Sequence, residues 1–310
     1  MSKNNKIVAN VPGIRLDAFL GQSLADISRQ DVKKLCASGN VLINSKIARP
    51  GTILKMDDVI ELIDSPQTLS QGDLPTLSIV YEDEFLIVSL KPRAIHSVSQ
   101  KFQQEPSFAD ALIAYCPQCK SAGKDPLEGG LVQRLDYYTS GLIIAAKDKN
   151  TWYALHEDFL AHKIKKEYLA LVEGAPSPEH GAIDTFLNLG TNFVTVETSE
   201  KPNLVRAKTD YRVLVTMRNE ANDYSVICAS TEFGKRHQIR AHLAYLGHPL
   251  VGDELYGSKL SLSNFHSIKH SDNGFLLHAN LIELKHPHTK IRLFFEDMSL
   301  EFRDLLKEEG

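Results

Sequence analysis

A pair of opposite charges lies within the otherwise largely apolar segment 131–144. Its sequence is LVQRLDYYTSGLII, so Arg134 and Asp136 fall between two runs typical of strands, and the Thr-Ser-Gly is predicted to complete a tight loop. A carboxylate in such a place loses part of its water, which suits a base or a nucleophile. Asp136 could equally accept hydrogen bonds from loop amides as an Asx turn. On these residues alone both interpretations stay open.

A second segment, residues 234–247, could supply a cation to that carboxylate. Ile239, Leu243 and Leu246 recur at i, i+4 and i+7, which predicts a helix over 237–246 with one buried stripe. His237 and Arg240 share a neighbouring face of the same helix. The pattern therefore offers an imidazole and a guanidinium side by side.

Metal and cofactor chemistry lack the usual motifs. The spacing of five between His237 and His242 differs from the i, i+4 pair of metal-binding helices, and Cys116 and Cys119 form a single CxxC without a second pair. Glycine-rich phosphate loops of the GxGxxG or GxxxxGK type are absent from the sequence. We expect neither a metal nor another cofactor.

The elements that must position these residues divide at residues 64–76. That stretch, DSPQTLSQGDLPT, is poor in apolar residues and is predicted to be a linker. Before it, apolar residues recur at helical spacing and predict two helices, the first through Leu16, Phe19, Leu20 and Leu24 and the second through Val32 and Leu35. The second helix is predicted to have its N-cap at Ser28 and to stop at Gly39, and short apolar runs after it predict strands. After it, strand patterns outnumber helices, which are predicted mainly at 150–163 and 237–246. The predicted strands are Ser78–Tyr81, Phe85–Val88, Leu131–Val132, Leu142–Ile144, Tyr168–Val172, Tyr211–Val215, Val226–Ile227 and Ile291–Phe294. We therefore predict a mostly antiparallel α+β domain with a mixed sheet after a small α+β domain.

Charge and cysteine content restrict the function further. The chain has 310 residues and a net charge of −4, so an RNA or DNA contact must use a local basic face. Residues 1–63 carry nine basic and six acidic side chains. With four cysteines, no apolar run long enough to span a membrane and no secretory signal pattern, we expect a soluble cytoplasmic protein that needs no disulfides.

The first 63 residues resemble the S4 RNA-binding domain. The resemblance lies in Gly13-Ile-Arg-Leu-Asp17, Ser28-Arg29, Gly39-x-Val41 and the stretch from Val41 to Asn44. Asp57 departs from the family, which usually has glycine there. The resemblance implies that basic residues of the two helices contact structured RNA, namely Arg15, Arg29 and Lys33.

The second part of the chain resembles the RluA-type pseudouridine synthases. Arg134-Leu-Asp-x-x-Thr-Ser-Gly141 matches the signature of that family. Further segments follow in the family's order: Tyr81-Glu-Asp83, Lys91-Pro92, Lys166-Glu-Tyr168, His237-Gln-Ile-Arg240-x-His242, Leu246-Gly-His-Pro249, Gly252-Asp253, Tyr256-Gly257, Leu277-His278-Ala279 and His286-Pro287. Departures occur at Gln133, Ala94 and the pair Lys235-Arg236.

The resemblance implies roles for individual residues. Asp136 would be the catalytic carboxylate, Arg240 its cationic partner, and Tyr168 the aromatic that stacks on uracil and assists proton removal from C5. Arg134 would fill the gap left when the target base flips out of the RNA. A local basic face would bind RNA through Lys166, Lys235, Arg236 and His237.

These inferences predict a monomeric RNA pseudouridine synthase with an S4 domain at 1–63, a linker at 64–76 and a catalytic domain at 77–310. We expect it to act on large-subunit ribosomal RNA. The alternatives are a tRNA-directed member of the same family and a non-catalytic RNA-binding assembly factor. A glycosidase would need two carboxylates across a bond, and one stands out.

Overall fold

The computed structural model describes residues 5–24, 28–37, 40–62, 74–99, 105–190, 193–218, 222–232, 234–265 and 274–307. The chain divides into two compact units, one made of 1–74 and 99–106 and the other of 75–98 and 107–310. Of the predicted linker, residues 64–73 lie outside the described residues, as does the predicted helix stop at Gly39.

In its described residues, the first unit packs two helices with one small sheet. Its elements are β1 (Asn5–Val8), α1 (Leu16–Ser23), α2 (Arg29–Ala37), β2 (Val41–Ile43), β3 (Lys46–Ile47) and β4 (Val59–Leu62), with strand order β1-β4-β2-β3. Ser28 caps α2 by accepting a hydrogen bond from the Asp31 amide, as its position in the sequence predicts. Leu16, Leu20 and Val32 are fully buried in the shared core, so the helical spacing has its physical origin in packing.

The second unit is built on one large sheet. Its strands are β5 (Ser78–Glu82), β6 (Leu86–Lys91), β7 (Thr139–Ala146), β8 (Lys165–Glu173), β9 (His180–Asn188), β10 (Thr195–Glu197), β11 (Val205–Arg218), β12 (Asp223–Thr231), β13 (Leu277–Lys285) and β14 (Arg292–Glu296). The order is β10-β9-β11-β12-β8-β13-β7-β6-β5, with β14 paired to β13. All pairings are antiparallel except that of β7 with β13, so the predicted α+β class is confirmed.

The α-helices that accompany this sheet within the described residues are α3 (Phe108–Tyr115), α4 (Lys149–Leu160), α5 (Gln238–Tyr245) and α6 (Leu300–Lys307). Ser107 and Asp110 form a capping box at the start of α3, and Asp148 caps α4 by accepting from the Thr151 amide. Within the described ranges, no helix is both long and apolar enough to cross a membrane.

Two local predictions around residue 136 are wrong. Leu131 and Val132 form no strand, since Leu131 makes only an isolated bridge to Ala145. The Thr-Ser-Gly does not complete a loop but begins β7. Gly141 has φ +106°, and a Cβ there would overlap the backbone of Ala279 on β13, so the glycine serves close strand packing.

Candidate active site

A cleft lies over the middle of the large sheet, where β12, β8, β13 and β7 run side by side. The cleft is open to solvent, and its volume of about 410 Å³ includes the open space at its mouth. Its lining comprises Arg134, Leu135, Asp136, Thr139, Tyr168, Thr231, Gly234, Lys235, His237, Gln238, Ile239, Arg240 and Leu277. The two segments that the sequence singles out therefore meet in one place.

The floor of the cleft is a row of side chains from four neighbouring strands. Leu277 pairs with Thr139 and also with Ala170, two residues from Tyr168. Tyr168 pairs with Ala229, two residues from Thr231. Because alternate residues of a strand share a face, the floor runs from Thr231 through Tyr168 and Leu277 to Thr139.

Asp136 enters the cleft from the segment just before β7, and buried polar groups hold this segment. The Lys91 ammonium donates to the carbonyl oxygens of Thr139 at 2.8 Å and Tyr137 at 3.3 Å. The Ser97 hydroxyl accepts from the Leu135 amide at 2.9 Å and donates to the Leu135 carbonyl at 2.7 Å. Burial lowers the pKa of Lys91 to about 7. The backbone on both sides of Asp136 is thus anchored.

Arg240 on α5 joins Asp136 to a second carboxylate. Its Nη1 donates to Oδ2 of Asp136 at 3.1 Å, while Nε and Nη2 donate to the two oxygens of Asp253 at 2.7 and 2.9 Å. The guanidinium also lies 4.2 Å from the ring centre of Phe275, which fixes its plane. Asp253 is 2 % exposed, whereas the side chain of Asp136 is 24 % exposed. The cation is therefore anchored on Asp253, and Asp136 keeps an open side toward the cleft.

His237 lies beside Asp136, and it precedes helix α5 although the predicted helix over 237–246 includes it. The residue adopts φ 53° and precedes α5 as its N-cap, because the chain turns sharply there before the helix begins at Gln238. Its Nδ1 is 3.1 Å from the Tyr256 hydroxyl and its Nε2 is 3.9 Å from Oδ2 of Asp136. Burial lowers the pKa of His237, so the imidazole is neutral at pH 7.

Tyr168 forms the centre of the floor. Burial, and then the nearby charge of Asp136, raise the pKa of its phenol. The phenol therefore keeps its proton at neutral pH. This state suits a flat surface for stacking better than a base that removes a proton.

The predicted RNA-binding residues of the second unit differ in exposure. Arg134 and Arg236 are exposed, and Lys235 is half-buried. Lys166 does not lie on the surface as predicted, since only 5 % of it is exposed and its ammonium lies 5.0 Å from the ring centre of Phe159. It shares a strand face with Tyr168, two residues away, and its ammonium lies next to Gly234, which lines the cleft. Burial lowers its pKa to about 8.

In the first unit, the predicted RNA contacts lie on or next to the two helices. Arg29 and Lys33 of α2 are exposed. Arg15 precedes α1 and donates to both carboxylate oxygens of Asp17, at 3.0 and 2.9 Å. Its guanidinium is thus already bound within the unit.

The cysteine pair and His242, which the sequence analysis weighs as metal ligands, make other contacts in the structure. The sulfur atoms of Cys116 and Cys119 are buried and 3.1 Å apart. His242 is fully buried, with its ring nitrogens 2.8 Å from the Thr209 hydroxyl and 3.1 Å from the Thr185 hydroxyl. In the parts of the chain that the structure covers, no group of three or more metal-ligating side chains comes together.

Sequence reasoning assigned no role to Asp253, Tyr256 or Phe275, which hold Arg240 and His237. Asp253 and Tyr256 occur within segments that carry the family resemblance, but no local pattern says which cation a buried aspartate pairs with. Their proximity to Arg240 is a product of tertiary packing.

Comparison with known proteins adds independent evidence. A family model described as RNA pseudouridylate synthase matches residues 86–245, and an S4 domain model matches 14–60. An uncharacterized RNA pseudouridine synthase of Helicobacter pylori is 30% identical over 290 residues, covering 91% of this chain and 85% of that protein. The ribosomal large subunit pseudouridine synthase D of Borreliella burgdorferi is 28% identical over 254 residues, covering 79% and 76%.

Two solved structures resemble the fold of a large part of this chain. Human RNA pseudouridylate synthase domain containing 4 aligns with a TM-score of 0.58 at 22% identity, over 74% of this chain and 92% of that one. Human RNA pseudouridylate synthase domain containing 1 aligns with a TM-score of 0.55 at 23% identity, over 72% and 84%.

Proposed function

The chain belongs to the RNA pseudouridylate synthase family, and on that basis we propose that Asp136 is the carboxylate with which it isomerises uridine in large-subunit ribosomal RNA. The reaction breaks the N1–C1′ bond, turns the uracil and forms a C5–C1′ bond. The C5 proton leaves and N1 gains a proton, so no atoms are gained or lost overall. Such a reaction asks for a positioned carboxylate near the ribose and a site that retains the detached base.

The position of Asp136 is the observation that carries the proposal. Its carboxylate is anchored from behind by Arg240 at 3.1 Å and is open to the cleft on its other side. It can attack C1′ as a nucleophile or remove a proton from C2′ as a base. At about 4 Å and an effective dielectric constant of about 20, one cation offsets about 4 kcal/mol of the cost of holding such a charge away from water.

The remaining residues of the cleft suit a flipped nucleotide. Tyr168 offers an aromatic surface on which a uracil ring can stack. Arg134 is exposed at the mouth, where it can take the place of the extruded base and offset an unstacking cost of a few kcal/mol. Lys235 lines the cleft and the neighbouring Arg236 is exposed, so both can contact phosphates.

Two findings support ribosomal RNA as the substrate. The S4 domain supplies a second RNA-binding unit, and one relative bears the name ribosomal large subunit pseudouridine synthase D. We expect pseudouridine mapping of total RNA, from cells with and without the gene, to reveal a site in large-subunit ribosomal RNA that depends on this protein. A site that depends on it in tRNA instead would overturn this choice of substrate.

The direct test of Asp136 is the Asp136→Asn variant. The amide keeps the shape of the side chain but can act neither as nucleophile nor as base, so tritium release from RNA labelled at C5 of uridine should fall by more than about 100-fold, with RNA binding within a few-fold of wild type. Asp210→Asn is the matched control, since Asp210 pairs with Lys208 on β11 and does not line the cleft. Turnover of Asp136→Asn near that of the control would exclude Asp136 as the catalytic group.

A further inference from the structure

Two buried hydroxyl groups in the floor of the cleft have no hydrogen-bond partner within the described part of the chain. They belong to Thr231, which is 6 % exposed, and Thr139, which is 2 % exposed. Burying a hydroxyl group without a partner costs free energy, so most buried hydroxyl groups in proteins are paired. Both residues line the cleft. A ligand in the cleft could therefore supply the missing partners.

The two hydroxyl groups lie on opposite sides of Tyr168. Thr231 is on β12, directly beside β8, whereas Thr139 is on β7, two strands from β8 in the other direction. Measured across the strands, with about 4.8 Å between neighbours, Thr231 lies roughly 5 Å to one side of Tyr168 and Thr139 roughly 10 Å to the other. Each is also displaced from Tyr168 by two residues, roughly 7 Å, along the strand direction. The Thr139 amide donates to the Asp136 carbonyl at 3.1 Å, so Asp136 enters from the Thr139 side.

Given the proposed function, the positions of Asp136, Tyr168 and Thr231 across the sheet determine how a bound nucleotide is oriented. Asp136 must meet the ribose, so the glycosidic bond lies on the Thr139 side of the floor. A uracil stacked on Tyr168 then directs the edge opposite N1 toward Thr231. The atom at that edge is the carbonyl oxygen O4.

We propose that the Thr231 hydroxyl is the hydrogen-bond donor that holds the far carbonyl of the target uracil. This inference rests on the proposed function and extends it, because it names the group that binds the base. The neighbouring Gln238 is not available for the task. Its amide donates to the Lys208 carbonyl and the Thr209 hydroxyl, and its oxygen accepts from the Lys235 amide.

The symmetry of the uracil ring allows one hydrogen-bond donor to bind the base in both the substrate and the product. A half-turn of the ring about the axis through N3 and C6 exchanges N1 with C5 and O4 with O2. When C5 has taken the place of N1, O2 therefore lies where O4 was. The Thr231 hydroxyl can bind O4 in the substrate and O2 in the product, which helps to retain the base while it is detached.

The test compares Thr231→Val, which removes the hydroxyl at nearly constant shape, with Thr231→Ser, which keeps it. On RNA with uridine at the target, we expect kcat/KM of Thr231→Val to fall by about 10- to 100-fold, the usual effect of losing one hydrogen bond to a buried polar group. Thr231→Ser should stay within about threefold of wild type, because it keeps the donor. The Tm of Thr231→Val should be unchanged or higher, since an unpaired hydroxyl is lost.

A second substrate separates base binding from a structural role. Sulfur is a weaker acceptor than oxygen, so with 4-thiouridine at the target the wild-type rate should fall and Thr231→Val should add less than about threefold. Ser89→Ala is the matched control, because its buried hydroxyl also lacks a partner among the described residues but lies outside the cleft. It should leave turnover on both RNAs unchanged.

The outcomes are distinguishable. If wild type forms pseudouridine and Thr231→Val matches it on uridine RNA, the proposal for Thr231 fails and the proposed function stands. Equal losses on both RNAs together with a lower Tm would show a structural role and also overturn it. If wild type forms no pseudouridine in ribosomal or transfer RNA, the proposed function itself fails.

Discussion

Replacing Arg240 by methionine should separate the two tasks of the guanidinium. Arg240 binds Asp253 through two hydrogen bonds and Asp136 through one. Asp253 is 2 % exposed, so without Arg240 its charge is buried and unpaired. Breaking a buried pair in this way typically costs about 3–5 kcal/mol. For a unit of this size, a loss of that amount lowers Tm by about 6–20 °C.

The double variant Arg240→Met/Asp253→Asn removes the stranded charge. The amide introduced at position 253 is neutral, so most of the free energy of unfolding that Arg240→Met loses should return. Turnover should not return, because Asp136 still lacks its cation. The Coulomb attraction between two such charges about 4 Å apart, at an effective dielectric constant of about 20, is about 4 kcal/mol, and half of that already corresponds to roughly 30-fold in rate.

The assay is urea unfolding of both variants at neutral pH alongside tritium release from uridine-labelled RNA. We expect Arg240→Met to lose stability and turnover, and the double variant to regain only stability. If the double variant were as unstable as Arg240→Met, the cost would not arise from the buried charge of Asp253. If Arg240→Met kept wild-type turnover, Arg240 would not act on Asp136.

Two further predictions concern the S4 domain and the dependence of stability on pH. The double variant Arg29→Ala/Lys33→Ala in the full chain should weaken RNA binding and leave turnover at saturating RNA unchanged. The slope of log binding constant against log salt concentration should become shallower by about 0.7–0.9 per lost phosphate contact. A slope equal to that of the exposed control Arg206→Ala would contradict this prediction. Burial lowers the pKa of His242 from 6.5 to about 4, so its stabilising contribution is complete above pH 6.5 and is lost as the pH falls toward 4. Between pH 7 and 5 the free energy of unfolding should fall by about 2 kcal/mol through this residue, and His242→Gln should flatten the urea-unfolding profile by that amount; parallel profiles would refute the assignment.

Hydrophobic spacing in the sequence predicted helices and strands whose formation depends on neighbouring residues in the chain. The spacing of Ile239 and Leu243 gave helix α5, but its start was one residue off because His237 adopts a left-handed conformation. The sequence also carries a signal for β9, because Ile183, Thr185 and Leu187 alternate with more exposed residues. Strand β13 has no alternation to detect, because its first six residues are buried on both faces.

The candidate site depended on contacts that the sequence pattern does not encode. Asp136 and Arg240 are 104 residues apart, and their pairing was expected from family resemblance rather than from periodicity. Lys166 is predicted on the surface because lysine usually lies there, but tertiary packing buries it against the ring of Phe159. The partnership of Asp253 with Arg240 became visible only in the folded chain.

The place of β13 in the sheet has a consequence for when the enzyme becomes active during synthesis. This strand, residues 277–285, lies between β7 and β8, so the segment that carries Asp136 and the strand that carries Tyr168 have no direct pairing with each other. A ribosome that has made both still holds a chain whose sheet lacks its middle strand. At about 5–20 residues per second, more than 100 residues must follow Tyr168 before the gap can close. The cleft therefore forms late, and a nascent chain can bind RNA through its S4 domain before it is able to modify any.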